Sequence, residues 1–441
     1  MDCRIVQIDR NQASVVMLPI IVLLYGVIPG IQLTLYMMDL PFFGVMDTVN
    51  YFFSIFSYYV ILNHILITIK LPFFQKHIPY DRMVKFHVVS GTFIITGIYW
   101  HVLHKLIIGK MVDVLSWVIL VVFSVLYLLA ILWIEAPGVR HFRRRILGWI
   151  GRNPFDRYDH LKTLHGFGFL LLGFLGFLHI RKAGVMDSSY AFASFYLLIH
   201  LVLVGLLVVY SRLRKLWLPR LRLQTNRQVN DVSILTFALE GAQRITYKAG
   251  QFGYIRWMTP GLPSEEHPFS FLSSPADPDI SLGIKALGDF TKATAGVEAG
   301  SVVRINGGFG NFTPDFHAGK ICLIGSGIGI VPILSLLRDM RNHVAAHPVL
   351  CFLAVNTRED LLIEDEIRKI ATIIPDLEVR TLVYQEDRLL YSTDFFRESI
   401  VSPQEYSYYV CSSIPVRAIV LHALKELGVS RKRFHFEAFS Y

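Results

Sequence analysis

Six long apolar stretches, at roughly 13–36, 48–69, 86–104, 114–134, 163–180 and 190–210, contain no Asp, Glu, Lys or Arg. A helix needs about 20 predominantly apolar residues, within a range of roughly 17–25, to cross the hydrocarbon core of a bilayer. Each stretch meets that length, the fifth narrowly. Six uncharged stretches in succession are hard to bury in a water-soluble core, so they read as membrane spans. The chain has 441 residues, of which 53% are hydrophobic and only 17% charged. That composition excludes a disordered chain and argues against an ordinary soluble enzyme. No cleavable signal peptide is expected, because the first stretch is long and lacks a small-residue exit.

Charge sets the expected orientation. Segments 1–12, 70–85, 135–162 and 211–222 fall on one side of the spans and carry eighteen Lys and Arg. The loops on the other side carry four: Lys105, Lys110, Arg181 and Lys182. Cytoplasmic loops hold the positive excess. The N-terminus and everything after residue 211 are therefore expected in the cytoplasm. The chain would be integral to a plasma membrane or a bacterial inner membrane. The net charge of +9 is then mostly topology, and no nucleic-acid partner is read from it. The four cysteines, Cys3, Cys322, Cys351 and Cys411, fit neither a disulfide framework nor a zinc site.

Polar side chains inside spans are costly and usually functional. His87 and His101 lie 14 positions apart in the third stretch, and His165 and His179 lie 14 apart in the fifth. Fourteen steps of a helix come to about four turns less 40°, with a rise of about 21 Å. Both histidines of a span thus face nearly the same way, one near each leaflet. The two spans run in the same direction, so His87 levels with His165 and His101 with His179. Two bis-imidazole sites result, suited to two six-coordinate haems of the b type. Gly91, Gly97, Gly168 and Gly176 lie three or four residues from these histidines. They are expected either to clear space for the porphyrins or to serve close packing between helices. His64 and His200 stand alone on their spans and are expected to be hydrogen-bonded or packed.

After residue 222 the texture changes. Short segments rich in β-branched and aromatic residues, punctuated by Gly and Pro, read as a small antiparallel barrel to about residue 316. From Lys320 strands and helices alternate, as in a doubly wound α/β unit. The domains are placed at 1–215, 216–317 and 318–441. Residues 325–332 read GSGIGIVP after the apolar strand ICLI. A Gly-rich turn there offers amides and a helix N-terminus to a pyrophosphate. Asn356, Thr357 and Arg358 follow the next strand. No acidic ribose ligand stands there and Arg358 is available for a 2′-phosphate, which favours NADPH over NADH weakly.

Residues 267–270 read HPFS and 284–291 read IKALGDFT. With these motifs the soluble half resembles the ferredoxin–NADP reductase family. The whole chain from about residue 15, with its two His pairs, resembles the ferric reductase and NADPH oxidase superfamily, in a short prokaryotic form. The resemblance implies an all-α six-span haem domain, an FAD-binding β-barrel and an NAD(P)-binding α/β domain. It implies that His267, Pro268, Phe269 and Ser270 line the flavin and its ribityl chain. Lys285 and the turn of Gly288, Asp289 and Thr291 would hold the FAD diphosphate, the lysine by charge and the turn by backbone amides. Gly325, Gly327, Gly329 and Pro332 would form the nicotinamide-nucleotide turn, with Cys411 near the nicotinamide. The ending FEAFSY matches a Glu-x-aromatic terminus, which points to Phe439 as the ring over the isoalloxazine. The chain runs two residues further, so Tyr441 could stack instead. Cys-Ser-Ser at 411–413 replaces the family's Cys-Gly-Pro.

The implied reaction passes electrons from NAD(P)H through FAD and two haems to oxygen or a ferric chelate on the opposite side. No EF-hand loop, regulatory domain or protein partner is evident, and constitutive activity is expected. A haem-free membrane-anchored flavin reductase and a transporter with a histidine proton relay are the alternatives.

Overall fold

The computed structural model describes residues 18–38, 44–69, 80–132, 158–182, 191–241, 244–263, 265–342, 346–387 and 391–438. It divides into two compact units, Met1–Leu216 and Trp217–Tyr441.

The first unit is helical: α1 (Ile28–Met38), α2 (Val45–Thr68), α3 (Tyr80–Ile107), α4 (Val114–Leu132), α5 (Tyr158–Ile180) and α6 (Ala191–Leu216). Among the described residues six helices are long and apolar enough to cross a membrane; the first of these runs Leu18–Met38, including a π-helical turn at Leu23–Val27 before α1. Backbone polar groups have no water partner in hydrocarbon, which is why uncharged spans fold as helices. In the π-turn the Leu24 carbonyl accepts from the Asn63 side chain. Helix α2 sits inside the unit, with Tyr59, Leu62 and Leu66 buried. Outward faces carry exposed Val121, Leu128 and Leu206, the surface a lipid environment accepts. Of the Lys- and Arg-rich segments, residues 1–12, 70–79 and 135–157 lie outside the described residues.

The second unit begins with an antiparallel sheet of β1 (Arg220–Val229), β2 (Val232–Glu240), β3 (Phe252–Trp257), β4 (His267–Ser270), β5 (Ile280–Lys285) and β6 (Val302–Phe309), with α7 (Asp289–Ala295) between β5 and β6. The strand order is β4-β3-β6-β1-β2-β5. A bridge from Phe271 to Leu282 joins the two edges, so the sheet curls into a barrel. Leu221, Phe237, Ile255, Phe271, Leu282 and Ile305 fill its interior.

The rest alternates: β7 (Ile321–Ser326), α8 (Ile330–Met340), β8 (Val349–Val355), α9 (Glu364–Ile373), β9 (Leu377–Val383), a short α10 (Tyr384–Asp387), α11 (Thr393–Ser399), β10 (Ser407–Ser412), α12 (Ile414–Glu426) and β11 (Phe434–Ala438). The sheet is parallel, ordered β11-β10-β7-β8-β9. Its strands are near-continuous apolar runs because helices cover both faces. On β7, Leu323 packs toward α8 and α9, while its neighbours Cys322 and Ile324 pack toward α11 and α12, the period-2 alternation of a strand. Order reverses between β7 and β10. In open α/β sheets such a reversal opens the ligand crevice at the strands' C-terminal ends.

Barrel and parallel sheet share one core. Val232, Ile234 and Leu272 of the barrel join the cluster that holds Val331, Ile333 and Leu334 of α8. A Cβ on Gly283 would lie 2.4 Å from Val331, so glycine permits the close approach. Buried polar bonds fix the junction. Ser335 Oγ donates to the Ser273 carbonyl at 2.7 Å, and Arg338 donates to the Leu272 carbonyl at 3.1 Å. The same guanidinium grips Glu366 at 2.7 and 2.8 Å.

Candidate cofactor sites

In the helical unit the spacing of the histidines brings them together in pairs. The His87 and His165 rings have centres 6.0 Å apart, and those of His101 and His179 lie 6.2 Å apart. An imidazole nitrogen sits about 2.0 Å from a metal it ligates, and the ring centre about 1.1 Å farther, so two rings on opposite sides of one metal have centres about 6.2 Å apart. Both pairs have that separation. Among the described residues no cluster of three or more His, Cys, Asp or Glu could hold a metal ion. The donor set is therefore two imidazoles per site, which suits a metal whose equatorial ligands come from a macrocycle.

Two other histidines have hydrogen-bond partners in the protein. His64 Nε2 lies 2.7 Å from Ser90 Oγ, and His200 Nε2 lies 3.0 Å from Asn63 Oδ1. His104 is buried with Nε2 3.5 Å from Asp47. His64 nevertheless packs against His87, ring centres 4.5 Å apart, a neighbour that its solitary place in the sequence does not announce. Of the two readings of the glycines, packing holds at three of the four positions. An added Cβ would meet Ser57 at Gly97, Leu126 at Gly168 and Tyr58 at Gly176, so close helix packing accounts for these. Only Gly91 of the four opens onto clear space, with nothing within 4 Å.

Around the pairs lie polar residues with no sequence motif to mark them. His101 Nδ1 is 3.1 Å from Asn50 Oδ1. His179 Nδ1 is 3.1 Å from Ser116 Oγ. Asp113, just before α4, accepts from the Ser116 hydroxyl and amide and pairs with Lys182. The Lys182 ammonium and the Ser116 donors hold the Asp113 carboxyl well below the usual carboxylate range, so it is ionised at neutral pH. His87 Nδ1 is buried and has no hydrogen-bond partner among the described residues.

In the second unit the HPFS strand and the GDFT turn meet. The Phe290 ring, at the start of α7, lies 4.1 Å from His267 and stacks at 5.9 Å on Phe269. Pro268 pairs with Tyr254 across β3, and Ser270 is buried. Lys285, at the end of β5, lies 3.2 Å from Asp231. Thr291 works within its own turn. Its Oγ1 accepts from the amides of Leu287 and Gly288, each at 2.9 Å, and donates to the Gly288 carbonyl. The expectation for this turn is thereby narrowed: the Gly288 amide is spent inside it. The amides of Asp289 and Phe290, first in the helix, have no intrahelical acceptor.

The glycines of GSGIGIVP divide their work. Gly327 adopts φ +57°, a left-handed conformation that glycine takes at no steric cost. At Gly329 a Cβ would stand 2.0 Å from the Cys411 carbonyl oxygen, so the turn presses against the end of β10. Gly325 packs under Ile330 and Ile333, and Pro332 is buried in the first turn of α8. Cys411 is fully buried in register with Gly325, at the topological reversal. Arg358 differs from its expected availability. It bonds Glu386 through two nitrogens, at 3.3 and 2.7 Å, and lies 3.6 Å from Glu364. Strand β11 ends at Ala438 in register with Ser412; Phe439 and Tyr441 lie outside the described residues.

Residues 222–306 match an FAD-binding domain family. The reductase component of a naphthalene 1,2-dioxygenase system from Pseudomonas putida is 23% identical over 202 residues, covering 44% of this chain and 60% of that one. Dual oxidase 1 from Canis lupus familiaris is 24% identical over 343 residues, covering 67% of this chain and 20% of the oxidase. The chain thus spans only part of the length of these relatives. A solved cytochrome P450 reductase from Amycolatopsis has a TM-score of 0.44 at 22% identity, over 51% of this chain and 70% of that one.

Proposed function

We propose that the chain is a member of the ferric reductase and NADPH oxidase superfamily, a transmembrane oxidoreductase carrying electrons from NAD(P)H, by way of FAD and two b-type haems, to an acceptor across the membrane. The observation that carries this reading is the pair of facing imidazole sites, 6.0 and 6.2 Å between ring centres, in a span-capable helical unit joined to a reductase-like unit. A flavin takes two electrons as hydride and releases them singly, and a bis-histidine haem carries one at a time.

The residues supply binding and order. His87 with His165, and His101 with His179, would hold the two haem irons, which would supply one-electron transfer. His267, Pro268, Phe269 and Ser270 would line the flavin, Lys285 and the Asp289 amide would hold its diphosphate in the turn that Gly288 and Thr291 shape, and Phe439 or Tyr441 would cover its ring. Gly325, Gly327, Gly329 and Pro332 form the coenzyme turn, with Cys411 beside it. We assign residues 1–215 to the haem domain, 216–317 to the FAD domain and 318–441 to the NAD(P) domain. The Lys and Arg distribution supports a cytoplasmic N-terminus and cytoplasmic second unit. Lys105, Lys110, Arg181 and Lys182 around the opposite mouth suit oxygen reduction to superoxide and an anionic ferric chelate alike.

A visible spectrum of the purified full chain tests the reading. A sharp reduced Soret and α band at two haems per chain is expected, with one haem lost in His87→Ala or His165→Ala while soluble dyes still accept electrons from NAD(P)H. A haem-free protein would make it an anchored flavin reductase or a transporter. Retention of two haems and normal turnover by His87→Ala would overturn the pairing.

A further inference from the structure

His179 is linked to a carboxylate through one hydroxyl. The Ser116 hydroxyl donates its single proton to Asp113 Oδ1 at 2.6 Å. Its oxygen, 3.1 Å from His179 Nδ1, is therefore the acceptor there. Nδ1 must then carry the imidazole proton, which leaves Nε2 as the unprotonated nitrogen able to ligate a metal. The other carboxylate oxygen, Asp113 Oδ2, lies 2.8 Å from Lys182 Nζ. Across the site His101 Nδ1 meets, among the described residues, the neutral amide oxygen of Asn50, at 3.1 Å. His87, in the other pair, has no partner at Nδ1 among the described residues. Of these three imidazoles, only His179 connects to a formal negative charge.

We propose that Asp113, acting through Ser116, is a positioning residue for His179 that fixes its tautomer and lowers the reduction potential of the haem iron held by His101 and His179. The proposal rests on the bis-histidine haem reading above. A hydrogen bond from Nδ1 to an acceptor with anionic character makes Nε2 a stronger donor, and a stronger donor favours ferric over ferrous iron. The step is a one-electron reduction of the iron; no bond is made and no proton leaves the relay. Lys182 opposes the effect by taking part of the carboxylate's charge.

Asp113 also caps α4, accepting the Ser116 amide at 2.8 Å. A cap alone would explain that bond, but not the alignment of the Ser116 hydroxyl with His179. Asp113→Asn separates the two roles, because Asn caps a helix about as well as Asp and carries no charge.

The experiment is a spectroelectrochemical titration of the full chain in detergent, following both haems, with His179→Ala identifying which band belongs to His179. In Asp113→Asn the potential of that haem should rise by the equivalent of about tenfold in its equilibrium constant, about 59 mV for one electron. Haem content, melting temperature and the other potential should stay as in the wild type. Ser116→Ala should raise the same potential, Ser116→Thr should restore it, and Lys182→Met should lower it. Should Ser116→Ala fail to keep its haem, Asp113→Asn decides alone. Two unchanged potentials in Asp113→Asn, or equal shifts of both, overturn the proposal. A wild-type chain without haem absorbance overturns the underlying reading instead, before any variant is made.

Discussion

Gly329→Ala asks whether the close approach between the Gly-rich turn and β10 sets the coenzyme site. The new Cβ would stand 2.0 Å from the Cys411 carbonyl oxygen, 2.5 Å from its carbon and 3.0 Å from the Ser412 nitrogen. Non-bonded carbon contacts lie at about 3.5–4.0 Å, so a displacement of about 1.5 Å is required. All three atoms are backbone, and β10 is bonded on both sides, to β7 and β11. The strand cannot yield cheaply, so the turn must. Overpacking of this kind costs about 1–3 kcal/mol, and each kcal/mol lowers Tm by about 2–4 °C in a unit of this size. A 1 Å misplacement of a binding element can cost about 10²-fold in rate. Dye-reduction kinetics on the full chain should show kcat/KM for the coenzyme reduced at least about tenfold, with FAD content unchanged. Gly296→Ala is the control, since a Cβ there meets nothing within 4 Å and its φ is −94°. Wild-type coenzyme kinetics and an unshifted Tm in Gly329→Ala would refute the argument.

Coenzyme choice should respond to the ion pair at Arg358. Arg358→Ala should raise KM for NADPH more than for NADH, whereas Glu386→Gln, which removes one of the two carboxylates against the guanidinium, should lower KM for NADPH selectively; equal effects on both coenzymes would remove Arg358 from the 2′-phosphate site. At Glu366, burial works to raise the carboxyl, but the paired bonds from Arg338 outweigh it and hold it below the ordinary range. A depressed folded pKa gives stability that is present above the unfolded value of about 4.3 and lost as pH falls through the folded one. Glu366→Gln should cost about 1–3 kcal/mol at neutral pH and melt with a flatter acid dependence than wild type; parallel acid profiles would mean the pair contributes nothing. Phe439→Ala should weaken FAD retention, by the about 0.5–1.5 kcal/mol an aromatic pair adds beyond burial, while loss of Ser440 and Tyr441 alone does little; the reverse outcome assigns the stacking to Tyr441.

Features that depend on neighbours along the chain were legible in the sequence. Absence of charge over about 20 residues is enough for a span, because the bilayer penalises charge wherever it falls. Fourteen residues between histidines fix their common face, since helical pitch is a local property. The turn GSGIGIVP declares itself because one residue after another must meet backbone constraints there. Contacts between distant segments were decided only by tertiary structure. Nothing near Ser116 in the chain announces that its hydroxyl faces His179, 63 residues away, or that Asn50 faces His101. Gly97, Gly168 and Gly176 share their histidines' faces by spacing, yet Ser57, Leu126 and Tyr58 from other helices take the space beside them. Arg358 reads as an available cation until the end of β9 brings Glu386 against it. Period and charge are properties of a segment, whereas a hydrogen bond or a clash needs two segments packed in one register, and packing is set by the whole fold.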